Sequence, residues 1–184
     1  MASKIKVDQL ETADGSGTIA LQNQLSGLTS ASMPTGSVLQ MVSIQDTASS
    51  TGTGTMTNDA AIPQITGGTE FMTLSITPKS ATSKLLIQLV GFLDAADVYY
   101  GVTALFVGTT SDALAAEGWT NNHVSYPQST TLTHVMTSGV TTELTFRIRA
   151  GTTSGSTTTW SGRSGGNLFG ACPKSSLTIT EIAG

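Results

Sequence analysis

FMTLSITPKSATSKLLIQLVGFLD, residues 71–94, decides the fold. Its first half alternates strictly, with Phe71, Thr73, Ser75 and Thr77 set against Met72, Leu74 and Ile76 up to Pro78. A period of two puts successive side chains on opposite faces of a pleated sheet, so this is a half-buried strand. The turn signal KSATS follows. Leu85 to Leu93 is then a more continuous apolar run, suited to the middle of a sandwich.

Working outward, similar runs recur at short spacing. On the N-terminal side, SVLQMVSIQD is a strand carrying Val38, Met41, Val42 and Ile44, and TASSTGTGTMTNDAA is a loop or a pair of edge strands over a turn. On the C-terminal side, YYGVTALFVG is a strand with Val102, Ala104 and Phe106 on one face, and STTLTHVMT and TTELTFRIRA are two strands joined at Ser138-Gly139. SDALAAEGW is expected to form a short helix, with Ser111 or Asp112 as N-cap and Gly118 at its end. The closing stretch, residues 146–184, has a strand through Leu144, Phe146 and Ile148, a Gly/Ser/Thr tip, and a last strand through Leu177, Ile179 and Glu181. Its glycine-dense crossing, Gly162 to Gly170, carries Arg163, Asn167 and Phe169. About eight strands meeting through short turns predict an all-β antiparallel sandwich, jelly-roll-like, over residues 33–184.

Composition agrees with this and excludes several functions. Only 11% of the 184 residues are charged, against about 25% in an ordinary globular domain. Thr, Ser and 20 Gly take their place, so the chain is solvated by hydroxyls and amides. The net charge of −4 offers no basic patch for a nucleic-acid backbone. No apolar run reaches the ~18 residues of a membrane span, and MASKIKVDQLETADG lacks the apolar centre of a signal peptide. Synthesis in a cytosol is the expectation. The single cysteine, Cys172, allows no intrachain disulfide and is read as a small buried filler.

Residues 1–32 stand apart from the sandwich. Ile5, Val7 and Leu10 suggest one short strand, and Ile19, Leu21, Leu25 and Leu28 suit a strand and short helix or a small helix alone. Such a segment has no private core, so it is expected either to be completed by another chain or to be a flexible tail.

No catalytic constellation emerges. His123 and His134, the only histidines, match no zinc spacing. Either could form a three-histidine site on a trimer axis, although an ordinary polar role is the simpler reading. Asp94 and Asp97 could pass for a glycosidase pair but read better as a solvated turn. The glycines at 162, 165, 166 and 170 make no phosphate cradle. Neither a cofactor nor a metal is expected. The aromatic, loop-like segment EGWTNNHVSYPQ is the place to look for receptor contact, with Trp119, Asn121, Asn122 and Tyr126 as candidates, since flat rings stack on sugars and amides hydrogen-bond to them. Tyr99, Tyr100 and Trp160 are further aromatics. The opposing reading puts Trp119 and Trp160 in the core or at a subunit contact.

Several stretches resemble a domain of tailed-bacteriophage fibre proteins. They are AAIPQITGGTEFMTLSITPKSATSKLLIQL, ALFVGTTSDALAA, FRIRAG and the terminal GRSGGNLFGACPKSSLTITEIAG, in that order over about residues 58–184. KIKVDQLETADGSG is similar to the opening of many such fibres. Two departures are visible: Ala60-Ala61 replaces the usual Asp-Thr, and Gly68 stands where Glu is common. The resemblance implies a structural virion protein, a homotrimeric tail or baseplate fibre that meets other virion proteins through residues 1–32 and touches host glycan or protein with its head. A head fibre or capsid decoration protein is the alternative, and a glycan-degrading fibre a remote one. No nucleic acid and no membrane insertion is expected.

Overall fold

The computed structural model describes residues 33–46, 48–97, 100–120 and 122–184. The predicted attachment residues Ile5, Val7, Leu10, Ile19 and Leu21 lie outside the described residues, as do Tyr99 and Asn121.

Ten antiparallel strands form two sheets: β1 (Val38–Gln45), β2 (Ser50–Gly52), β3 (Thr69–Ile76), β4 (Lys84–Ala95), β5 (Tyr100–Val107), β6 (Ala115–Thr120), β7 (Gln128–Thr137), β8 (Leu144–Thr152), β9 (Thr158–Trp160) and β10 (Ser176–Ile182). The first sheet runs β1-β10-β4-β7. The short β9 continues the β10 edge of β4 at Leu93–Ala95, and β2 pairs with β9. The second sheet runs β3-β8-β5-β6. Every link between successive long strands changes sheet except β5–β6. Counted over the eight long strands, the orders first-eighth-third-sixth and second-seventh-fourth-fifth are those of a jelly roll.

The stretch 71–94 behaves as its sequence dictates, giving most of β3 and β4 with a turn between them. Met72 and Ile76 of β3, and Leu85, Ile87, Leu89 and Leu93 of β4, are buried between the sheets with Phe146, Ile148, Leu177 and Ile179. A bulge between Glu70 and Met72 breaks the alternation once, and Phe71 stacks on the fully buried Trp160, ring centroids 5.2 Å apart at 10°. Val102, Ala104 and Phe106 do share a face, as predicted. They point away from this core into a second small one, completed by Met56 and Ile65 of the long β2–β3 loop. That loop wraps the outer face of the second sheet, where Glu70 bridges Arg147 (2.9 Å) and Arg149 (3.4 Å). Gly68 suits its position for a visible reason. Its φ is +63°, and an added Cβ would come within 2.9 Å of the Ala150 carbonyl oxygen.

Three expectations are corrected. The stretch 111–119 is not a helix: Ala115–Thr120 is β6, paired with β5 from Leu105↔Ala115 to Tyr100↔Thr120. Its alanines favour a helix locally, yet two turns are too short to stand alone, and the open edge of β5 supplies a full ladder of hydrogen bonds. Asp94 does not sit in a solvated turn. It is a β4 residue buried under the glycine-rich crossing, with Oδ2 accepting from the Ser164 N–H at 2.9 Å, and only Asp97 is exposed. Cys172 is exposed, because the crossing from β9 to β10 runs over the surface in a short 3-10 turn, Phe169–Ala171, that leaves its neighbours uncovered.

Candidate functional site: the loop-bearing end of the sandwich

The jelly-roll order sorts the connections between two ends. The links after β1, β4, β6 and β8 gather at one end, and the links after β3, β5 and β7 at the other. The chain enters the sandwich at that second end. There Gly36 N–H donates to the Ala183 carbonyl (2.9 Å) and Ala183 N–H to the Ser37 carbonyl (2.8 Å), so the first and last described segments lie side by side. Buried Glu181 fastens the same end, accepting from Gln40 Nε2 (2.6 Å), Lys79 N–H (2.7 Å) and Ser80 N–H (3.2 Å). Burial opposes its ionisation, but these donors outweigh that and hold its pKa below the usual glutamate value.

At the opposite end three loops are tied by their backbones. Ser125 N–H donates to the Ala95 carbonyl (3.1 Å), Ala96 N–H to Thr157 (2.9 Å) and Thr153 N–H to Tyr100 (2.9 Å). The strands on both sides of the loop through residues 122–127 are clamped together. Glu117 Oε2 accepts from Thr130 Oγ1 (3.0 Å) and Thr131 N–H (2.7 Å), and Gln128 Nε2 donates to the Thr120 carbonyl. Ser125 takes a left-handed φ of 58° at the turn.

On this base Tyr126 is 65% exposed, Tyr100 58% and Val124 57%, and Asn122 and His123 are also exposed. His123 and Tyr126 face each other, ring centroids 6.0 Å apart. The arrangement offers aromatic faces beside amide and hydroxyl groups, the chemistry of stacking and hydrogen bonding without proton transfer.

Of the predicted receptor residues, the structure brings Asn122 and Tyr126 to the surface together. It does not bring Trp119. That ring is 6% exposed and points into the core over Gly101, where it cannot lie on a sugar face. Alternation along β6 forces this, since Glu117 and Trp119 share the inward side while Gly118 looks out toward Asn58. Trp160 is also core. His123 and Val124 join the site instead. An exposed loop histidine beside a tyrosine was legible in HVSY, but Val124 carried no signal of its own. His134 sits half-buried on β7 in the inward register of Leu132 and Met136. Among the described residues, no group of three or more His, Cys, Asp or Glu side chains could hold a metal ion.

Two other features are structural. Asp46, Ser161 and Ser175 form a chain of short bonds, Ser161 Oγ lying 2.8 Å from both Asp46 Oδ2 and Ser175 Oγ, which joins the ends of β1 and β9 to the start of β10. Burial raises the Asp46 pKa against the opposing pull of the Ser161 bond. An open groove of about 390 Å³ lies between residues 57–63 and the outer face of β5–β6, its lining including five alanines, with Asn58 and Asp59 at its side. Asp59 spends Oδ1 on the Ala61 N–H (2.8 Å).

No protein-family model and no curated protein matches the chain. Among solved structures it is similar to that of the infectious bursal disease virus Gx strain, at 15% identity and a TM-score of 0.33, over 79% of this chain and 37% of that one. It is also similar to the infectious bursal disease virus VP2 subviral particle, at 14% identity and a TM-score of 0.33, over 79% and 38%. The chain thus spans less than two fifths of the length of either.

Proposed function

We propose that the chain is a structural protein of a tailed-bacteriophage virion, a homotrimeric tail or baseplate fibre subunit. It docks on the particle through residues 1–32 and turns its loop-bearing end to the host surface. The observation that carries this reading is the polarity of the sandwich. Residue 33 enters at the end closed by Gly36, Ala183 and Glu181, and the exposed Tyr100, Asn122, His123 and Tyr126 crown the opposite end. Met33, where the described chain begins, therefore lies at the end away from the aromatic loops, as an attached fibre requires. The low charge and abundant hydroxyls suit an exposed particle component, and the resemblance to phage fibre domains over residues 58–184 points the same way. The role is one of binding, without catalysis or cofactor. The virion is its location.

The test is made on particles carrying Tyr126→Ala or Tyr100→Ala. The expected result is unchanged incorporation with adsorption slowed about tenfold, the equivalent of ~1.4 kcal/mol of contact. Full-rate adsorption by both variants refutes the receptor role. Labelling the protein in intact particles decides its place, and label on the capsid instead of the tail would make it a head fibre or decoration protein.

A further inference from the structure

The outer faces of the two sheets differ in kind. The second sheet's is charged and covered by the β2–β3 loop. The first sheet's, formed by β1, β10, β4 and β7, is nearly without charge. Of the charged residues in these strands, Glu181 and Asp94 are buried, which leaves Lys84 on the face with its amine given to Thr137 Oγ1 at 2.8 Å. The registers Met41↔Thr180, Thr180↔Leu86 and Leu86↔Val135 set one row across all four strands, with Val38 in the adjacent row and Val90 two rows away, beyond the polar row of Ser43, Thr178, Gln88 and Thr133. Met41 is 65% exposed, Val38 59%, Val135 57% and Val90 53%. The edge strand β1, VLQMVSIQ, holds no charge and no proline, and pairs on one side only among the described residues. Edge strands in natural sheets are ordinarily guarded by such residues or by bulges, and β1 has only the bulge between Val38 and Gln40 at its start.

We propose that this face is the surface on which the chain packs against further copies of itself, which rests on the homotrimer reading above and names its interface. Two arguments choose that occupant. Charge is the first: with one paired lysine, the face offers nothing to an anionic or strongly charged partner, but hydroxyl rows and aliphatic side chains are complementary to their own kind. Size is the second. Four strands at ~4.8 Å spacing and about nine residues at ~3.3 Å cover roughly 20 by 30 Å, which a ring shares between two neighbours, so that with side-chain relief the face supplies about half of the ~800 Å² per partner of a standard interface at each contact. The apolar residues lie on both flanks, Met41 on β1 and Val135 on β7, with threonines of β10 between them. A ring of copies can therefore set the β1 flank of one against the β7 flank of the next, the heterologous contact that a three-fold assembly needs.

The experiment is native mass spectrometry of the full chain with Met41→Lys and Val135→Lys as single variants and Val140→Lys, an exposed turn position, as control. The wild type and the control are expected at three times the chain mass. Each face variant is expected to fall to a single chain, its association weakened about 100-fold or more, with an unchanged circular-dichroism spectrum. A second measurement needs no substitution: acylation of the Lys84 amine should be slower in the assembled protein than after dilution to single chains, by about tenfold. Face variants that stay assembled, with Lys84 unprotected, overturn the interface while the trimer stands, its copies held elsewhere. A wild type that is a single chain overturns both. If it is also destabilised by the face variants, residues 1–32 cover the face within one chain.

Discussion

Gly101→Ala tests the placement of Trp119, on which the separation of core from receptor surface depends. A Cβ at residue 101 would stand 2.1 Å from Trp119 Cζ2 and 2.4 Å from both Cε2 and Cη2. Ordinary carbon contacts are about 3.5–4.0 Å, so the ring must move by more than an ångström. The φ of Gly101 is not left-handed, so alanine brings no backbone strain and would by itself stabilise by ~0.4–1 kcal/mol through the unfolded chain. The ring decides the sign. Squeezing it in place costs about 1–3 kcal/mol, and expelling it forfeits most of the ~3–5 kcal/mol that a buried tryptophan contributes. A net loss of about 2–4 kcal/mol is expected, lowering the melting temperature by roughly 4–16 °C for a chain of this size. Thermal melts followed by circular dichroism measure it, and tryptophan emission should shift to the red as Trp119 meets water while Trp160 stays buried. In a Trp119→Ala background the same substitution should cost almost nothing, because the clash is gone. A Gly101→Ala protein as stable as the parent would refute the inward Trp119.

Two further outcomes follow from the polar and aromatic interior. Because the Glu181 pKa is lowered on folding, its stabilisation is complete above the unfolded value near 4.5 and fades as pH falls through the folded value. Glu181→Gln should therefore cost about 2–4 kcal/mol in urea unfolding at pH 7, less below pH 4.5, where Glu181 itself is losing its charge. Asp46, raised by burial, contributes with the opposite sign but equally to both proteins, and an equal Glu181→Gln cost at the two pH values would sink the Glu181 assignment. In a double-mutant cycle, Phe71→Leu and Trp160→Leu should couple by ~0.5–1.5 kcal/mol beyond burial, and additivity would show the 5.2 Å stack to be incidental.

The sandwich was readable where period and burial agree. The alternation at 71–77 and the apolar run 85–93 predict β3 and β4, and Leu177 and Ile179 predict the locked last strand, because a strand's two faces are written directly in its residues. Residues 111–119 misled because alanine-rich propensity is local, while the ladder offered by β5 is a tertiary fact. Asp94 and Cys172 misled for the same reason. Their burial depends on where the crossing 161–175 runs, and a Gly/Ser-rich crossing specifies its freedom, not its path. At the candidate site, the sequence marked the segment 117–128 and its tyrosine and amides. Only the fold turned Trp119 inward, set Tyr100 beside the neighbouring loops and put the whole group at the end remote from residue 33. Composition announced a chain that solvates itself with hydroxyls. That Glu70, Arg147 and Arg149 meet on one sheet's outer face, while the other carries Lys84 alone among the charged residues of its strands, is decided by strand order, which brings β1, β10, β4 and β7 together from distant parts of the chain.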